Sequence, residues 1–315
     1  MESRILLTAA ELNLFTLLDE SPSTAENLAG LLPADLRGLT ILLDALCAMG
    51  LLIKEQDEVY RCSPDVAACL SDKSPQSVLP MIRHANHLWQ SWSGLTSKVR
   101  SPERAEIPAS VGRNEDEMRA FIGAMHVVGA KLARKIVKAV GPGTAGNLID
   151  VGGASGTYTI AFLAAAPQMK ATLFDRPAVM PIARERLAAA GMADRVRLAA
   201  GDFYKDELPG GHDLAMISAI IHQNSPAQNI ELFGKVLRSL VSGGRMIVRD
   251  HVMEPNRINP EAGAIFAVNM LVNTEGGSTY TFDEIRTWIT AAGFTKVRLL
   301  QTGCHMDALI EAFKP

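Results

Sequence analysis

The chemistry this sequence can do starts from a histidine, an aspartate and a glycine-bearing loop in its C-terminal half. His222 lies just before a helix opened by Ser225-Pro226, and Asp250 closes the apolar run RMIVRD. An imidazole with its ordinary pKa of about 6.5 can take a proton near neutrality. A carboxylate bonded to one ring nitrogen fixes the tautomer and leaves the other nitrogen as a base. If the runs ending near these residues are successive parallel strands, both side chains reach the carboxyl edge of one sheet, where open α/β folds bind ligands. His251 is a rival base, but neighbours along a strand point to opposite faces.

The loop is Asp150-Val-Gly-Gly-Ala-Ser-Gly156. Glycine there lets the backbone turn tightly and approach a ligand closely. A dinucleotide fingerprint needs GxGxxG, whereas here Ala154 lies between Gly152 and Gly156, and Thr157 stands where the third glycine would fall. Asp175 ends the next apolar run, about twenty residues on, where an acidic side chain can accept from both hydroxyls of a ribose. Gly201-Asp202-Phe203 ends the third run. An aspartate there can take an adenine amino group, and Phe203 can cover the ring.

These residues need elements to hold them. Strands are expected at NLIDV, ATLFD, VRLAA, DLAMISAII and RMIVRD, with helices at Tyr158–Ala166, Ala178–Ala190 and Pro226–Ser242 between them. Alternation of this kind builds a parallel sheet with helices on both faces. After a helix at Phe282–Ala292, KVRLLQT and MDALIEAF are too close for a crossover and must pair antiparallel. The fold class expected is therefore α/β, a Rossmann-like, doubly wound sheet with an antiparallel last strand. Ahead of it, helical spacing over residues 8–19, 24–32 and 36–49, followed by the hairpin-like IKEQDEVYRCS, describes a winged helix. Helices fill residues 80–140, with a break at SPERAEIP.

Bulk properties exclude several classes. The 315 residues carry a net charge of −3 and no basic block, which argues against a nucleic-acid partner. No apolar run reaches membrane-spanning length, and the N-terminus lacks the order of a secretory signal, so a cytoplasmic location is expected. The four cysteines form no CxxC pair and read as reduced thiols. His84 and His87 make an HxxH with no third ligand nearby, so no metal is expected.

With these residues in view, the chain resembles the plant-type O-methyltransferase family, which includes caffeic acid and acetylserotonin O-methyltransferases and bacterial antibiotic-tailoring enzymes. The glycine loop matches the methyltransferase form D/E-x-G-x-G-x-G with Ala154 in the middle position. The likeness runs through AAELNLFTLLDE, IDVGGASGTYT, LFDRPAVMPIA, GDFYKDELPGG, ISAIIHQNSP, SGGRMIVRDHVM, NMLVNTEGGSTYT and AAGF.

The resemblance implies S-adenosylmethionine as cofactor and S-adenosylhomocysteine as product. It places the cofactor's carboxylate and amino contacts around Gly152 and Gly153, with Asp150 and Gly156 also in the cofactor-binding loop, Asp175 on the ribose, Asp202 and Phe203 on the adenine, and Ser218 where plant relatives often carry Lys. It makes His222 the catalytic base. The acceptor pocket would take Trp89, Phe121, Met125, His126, Phe266, Asn269, Met270 and Asn273. Residues 1–75 would be a dimerisation domain of a homodimer, 76–140 a helical segment serving dimer and pocket, and 141–315 the catalytic domain. The expected reaction is methyl transfer to a small-molecule hydroxyl. Alternatives are transfer to sulfur or carbon, a nicotinamide-dependent oxidoreductase, or a ligand-sensing winged-helix regulator. Two departures bear on the acceptor, which the sequence leaves unnamed: the family's His-Asp-Trp is His222-Gln223-Asn224 here, and a family acidic residue falls on Thr279.

Overall fold

Apolar residues at helical spacing in the first fifty positions form α1 (Glu2–Glu11), α2 (Leu14–Glu20), α3 (Ala25–Leu31) and α4 (Leu36–Ala48) in a computed structural model that describes residues 1–101 and 115–315, the side chain of Gln90 apart. The expected break at SPERAEIP falls mostly outside the described residues. Local capping fixes two helix starts: the Thr24 hydroxyl accepts from the Asn27 amide, and the Asp35 carboxylate accepts from the Gly38 amide at 2.7 Å. The wing has three strands, one more than the hairpin reading gives: β1 (Ser23–Thr24), β2 (Ile53–Lys54) and β3 (Val59–Arg61), in the order β1-β3-β2 and antiparallel throughout. A two-residue strand shows no alternation for a sequence to reveal. Helices α5 (Pro64–Leu70) and α6 (Leu79–Ser93) follow. Leu14, Phe15, Leu43, Leu46 and Tyr60 are fully buried at the centre of this bundle. His84 packs edge-on against Phe121 with ring centroids 5.2 Å apart, and burial pulls its pKa down to about 4.

This first unit takes in residues 1–93 and 115–127 of the described chain; a second takes in 94–101 and 128–315. Helix α7 (Leu95–Arg100) belongs to the second, and α8 (Glu115–Val140) contributes to both.

The second unit alternates β4 (Asn147–Val151), α9 (Thr157–Ala165), β5 (Lys170–Asp175), α10 (Met180–Ala189), β6 (Val196–Ala200), β7 (His212–Ser218), α11 (Pro226–Ser239) and β8 (Leu240–Asp250). It continues through β9 (Val252–Met253), α12 (Glu261–Asn273), β10 (Tyr280–Thr281), α13 (Phe282–Ala291), β11 (Thr295–Gln301) and β12 (Ala308–Phe313). Seven strands form one sheet in the order β11-β12-β8-β7-β4-β5-β6. Strand β12 runs antiparallel to both neighbours, and β4 to β8 are mutually parallel where they pair. Period-two alternation serves two cores. Ile149, Ile217 and Val248 face a cluster with Phe233 and Ile285, while Leu148, Met216 and Ile247 face another with Ile136 and Phe162. Among the described residues no helix is long and apolar enough to cross a membrane, and no cluster of three metal-ligating side chains occurs.

Candidate active site

Strand β7 stops at Ser218, four residues short of His222, although DLAMISAII reads as one continuous strand. Ala219 adopts φ +59°, which turns the chain, and Ile221–Gln223 form a 3₁₀ turn. Ile220 and Ile221 are buried all the same, so hydrophobicity alone could not mark the strand end. His222 therefore sits on a turn beyond the sheet edge. The register partner of Ser218 is Arg249, which puts Asp250 one step further on β8 and next to that turn.

His222 Nδ1 lies 2.9 Å from Asp250 Oδ1 and 3.0 Å from Oδ2. Both residues are buried. The His251 amide donates to the same carboxylate at 2.8 Å. Burial pushes the Asp250 carboxyl upward, but the charge and hydrogen bond of His222, helped by the His251 amide, outweigh it and hold the group below the ordinary carboxylate range. Asp250 thus accepts as an anion, so Nδ1 carries a proton. The His222 ring meets Phe266 of α12 edge-on at 4.8 Å, and the His251 ring packs on the same phenyl at 5.0 Å. His251 lies just past the end of β8, so strand alternation does not separate the two imidazoles. Burial lowers the His251 pKa to about 4, against the pull of Asp250, and leaves it neutral over most of the working range.

Around the glycine loop, Gly152, Ala154 and Gly156 have φ of +69°, +48° and +79°. A β-carbon on Gly153 would stand 2.8 Å from Leu173 Cγ, so the loop has no room there for a side chain. Ala154 keeps the left-handed backbone that its position demands without being glycine. The Asp175 carboxylate holds the loop: Oδ2 accepts from the Ala154 amide at 2.8 Å and Oδ1 from the Arg176 amide at 2.7 Å. Burial raises the Asp175 pKa, and those amides oppose the rise. Asp150 accepts from the Thr159 hydroxyl at 2.6 Å, and burial pushes its carboxyl up to about 6. Asp202 accepts from the Tyr204 amide at 3.0 Å, while the Phe203 ring lies 3.8 Å from where a Gly152 β-carbon would be. Asp175 and Phe203 thus border one loop, and Asp202 directly precedes Phe203.

Ser218 accepts from the Arg249 guanidinium at 3.0 Å. Arg249 is a residue that sequence reasoning missed. It is buried over the Tyr158 ring at 5.2 Å, and its Nε and Nη2 have no partner among the described residues. Its only signal in sequence is its register with Ser218. Of the residues expected to line an acceptor pocket, Phe266, Asn269, Met270 and Asn273 share α12, with Asn273 donating to the Asn269 side chain at 2.9 Å. Trp89 lies on α6, and Phe121, Met125 and His126 on the part of α8 that belongs to the first unit. Thr279 is buried.

Two family models match the chain. An O-methyltransferase domain covers residues 104–295, and an O-methyltransferase dimerisation domain covers residues 1–71. The tetracenomycin polyketide synthesis 8-O-methyl transferase of Streptomyces glaucescens is 33% identical over 94% of this chain and 88% of its own. The 3-hydroxy-5-methyl-1-naphthoate 3-O-methyltransferase of Streptomyces sahachiroi is 30% identical over 95% of this chain and 88% of its own. Human N-acetylserotonin methyltransferase, solved in complex with S-adenosylmethionine, superimposes with a TM-score of 0.82 at 25% identity, covering 100% of this chain and 94% of that one.

Proposed function

Because the chain belongs to the O-methyltransferase family that joins a dimerisation domain to a catalytic one, we propose that His222 is the general base in methyl transfer from S-adenosylmethionine to the hydroxyl of a small aromatic acceptor. The observation that carries this reading is the His222–Asp250 pair, with Nδ1 at 2.9 and 3.0 Å from the two carboxylate oxygens. An imidazole so held can present only Nε2 to an acceptor proton.

The residues present fit the cofactor. The loop at Gly152–Gly156 lets its backbone approach closely, Asp175 and Asp202 offer carboxylate oxygens at neighbouring strand ends, and Phe203 supplies an apolar wall beside Gly152. Bound there, S-adenosylmethionine supplies a methyl already activated by its sulfonium. Asp175 would accept from the ribose, and Asp202 and Phe203 would hold the adenine. His222 Nε2 would take the proton of the acceptor hydroxyl as that oxygen accepts the methyl. Asp250 stabilises the imidazolium that results. The enzyme's larger contribution is orientation of two bound reactants. Phe266, Met270 and Asn273 belong to α12, the helix that packs Phe266 on His222, and would contact the acceptor. One bacterial relative is named for O-methyl transfer in polyketide synthesis and the other for the 3-hydroxyl of a naphthoate, which points to a phenolic or polyketide-like acceptor here. The dimerisation-domain match and the exposed apolar residues Leu31, Leu36 and Ile41 of the N-terminal unit support a homodimer.

The test is a screen of phenols and hydroxynaphthalenes with labelled S-adenosylmethionine, repeated with His222→Ala. Turnover should fall by roughly 10²–10⁴-fold while S-adenosylhomocysteine affinity stays put. Near wild-type turnover of a weakly acidic phenol by the variant would remove His222 from the base role.

A further inference from the structure

The departure His222-Gln223-Asn224 has a structural counterpart. Asn224 is fully buried, and each of its side-chain polar atoms is used. Its Oδ1 accepts from the Tyr204 hydroxyl, and its Nδ2 donates to Asn229 Oδ1 at 3.0 Å. Asn229, also fully buried, donates in turn to the Ile221 carbonyl at 2.9 Å. The Tyr280 hydroxyl donates to the Asn224 carbonyl, and the Ser278 amide donates to the His222 carbonyl at 2.9 Å. The carbonyls of Ile221, His222 and Asn224 are therefore pinned by other elements: α11, the loop after α12, and β10. A β-carbon on Gly277 would sit 2.5 Å from the His222 carbonyl oxygen, so that loop is seated directly against the turn.

Tyr204 is the member of this network that reaches outward. It is 42% exposed and follows Phe203, whose ring lies 4.6 Å from its own. Its amide donates to Asp202. One tyrosine thus joins the loop that borders the glycines to the buried asparagine two residues past His222. Burial and the neighbouring Asp202 keep the phenol protonated, so it stays a donor.

We propose that Tyr204 and Asn224 are positioning residues that couple the adenine end of the cofactor site to His222. Occupancy beside Phe203 sets Tyr204, Tyr204 sets Asn224, and Asn224 sets the turn on which the imidazole stands. This rests on the cofactor reading above. A hydrogen-bonded network with each buried member satisfied transmits small shifts because none of its bonds can be lost cheaply.

The probe is S-adenosylhomocysteine, and the readout is the ring-nitrogen NMR signal of His222 in the full chain, alongside calorimetry. In the wild type, addition of S-adenosylhomocysteine should shift the His222 signals. Tyr204→Phe removes one hydroxyl and keeps the ring, so affinity should stay within about twofold while the His222 response is lost. Asn224→Ala should lose the same response, and the double variant should lose no more than either alone. Should Asn224→Ala fail to fold, Tyr204→Phe decides by itself. A full His222 response in Tyr204→Phe, or none in a wild type that binds the nucleoside, overturns the coupling and leaves the cofactor reading standing. A wild type that does not bind S-adenosylhomocysteine overturns both.

Discussion

Replacing Asp250 by asparagine tests the base assignment at its most specific point. The carboxylate takes Nδ1 of His222 on both oxygens and the His251 amide on one, all while buried. In Asp250→Asn the side-chain amide has nearly the same shape but no charge. Its oxygen can still accept from Nδ1 or from the His251 amide. Turned the other way, its NH₂ asks for a lone pair at Nδ1 and moves the proton to Nε2, the wrong end of the ring for a base. What would be lost is a charge-assisted bond to the imidazolium, worth about 1.5–3 kcal/mol. At about 1.36 kcal/mol per decade, the rate should fall roughly 10- to 150-fold. That is less than deletion of the imidazole should cost. The assay is single-turnover transfer from labelled S-adenosylmethionine to a phenol whose pKa lies well above the assay pH. With more acidic phenols the deficit should shrink, since an ionised acceptor needs no base. S-adenosylhomocysteine affinity should not change. A rate within twofold of wild type on the weakly acidic phenol would mean that Asp250 does not set the tautomer, and the two-bond geometry would then be a matter of packing.

Four further outcomes are expected. Ala154 holds φ +48° in the glycine loop, so Ala154→Gly should leave stability unchanged or raise it by about 1 kcal/mol, because the relief of left-handed strain exceeds the entropy glycine adds to the unfolded chain; thermal melts that drop on this change would contradict it. Asp175→Ala removes both the loop's anchor and the expected ribose contact, and calorimetry should show S-adenosylhomocysteine binding weakened by roughly 10- to 100-fold. Asp150 is held protonated to about pH 6 by burial. Its folded pKa lies above its unfolded one, so the stability it contributes is complete below about pH 4 and is lost as pH rises through about 6; melts of the ligand-free chain against pH should show that loss, and Asp150→Asn should flatten it. The chain should sediment at micromolar concentration with twice the mass of one chain, and a monomer there would count against the homodimer.

The parallel sheet, its antiparallel β12 and the acidic strand ends are legible in the sequence because alternation, turn residues and chain connectivity act over a few positions. The wing's third strand, β1, and the β9–β10 pair are not, since strands of two residues leave no period. The end of β7 escapes for another reason. Ile220 and Ile221 continue the apolar run, and only the positive φ of Ala219 breaks it. The Gln223-Asn224 departure stands out in the sequence as the loss of an acid and an aromatic, but the network that uses Asn224 does not.

By itself, then, the sequence determined the long helices and the strands of the main sheet, their order, and which residues lie near its carboxyl edge, because these follow from local propensity and from the rules of strand connection. Only the tertiary structure decided what those residues do to one another. That Asp250 gives both oxygens to one imidazole nitrogen, that His222 and His251 share Phe266, that Arg249 reaches Ser218, and that Asn224 ties Tyr204 to the His222 turn all depend on contacts between segments far apart in the chain. Hydrogen bonds form only within a few tenths of an ångström of their ideal lengths, and distances that fine are set by packing, which residue types and spacing do not record.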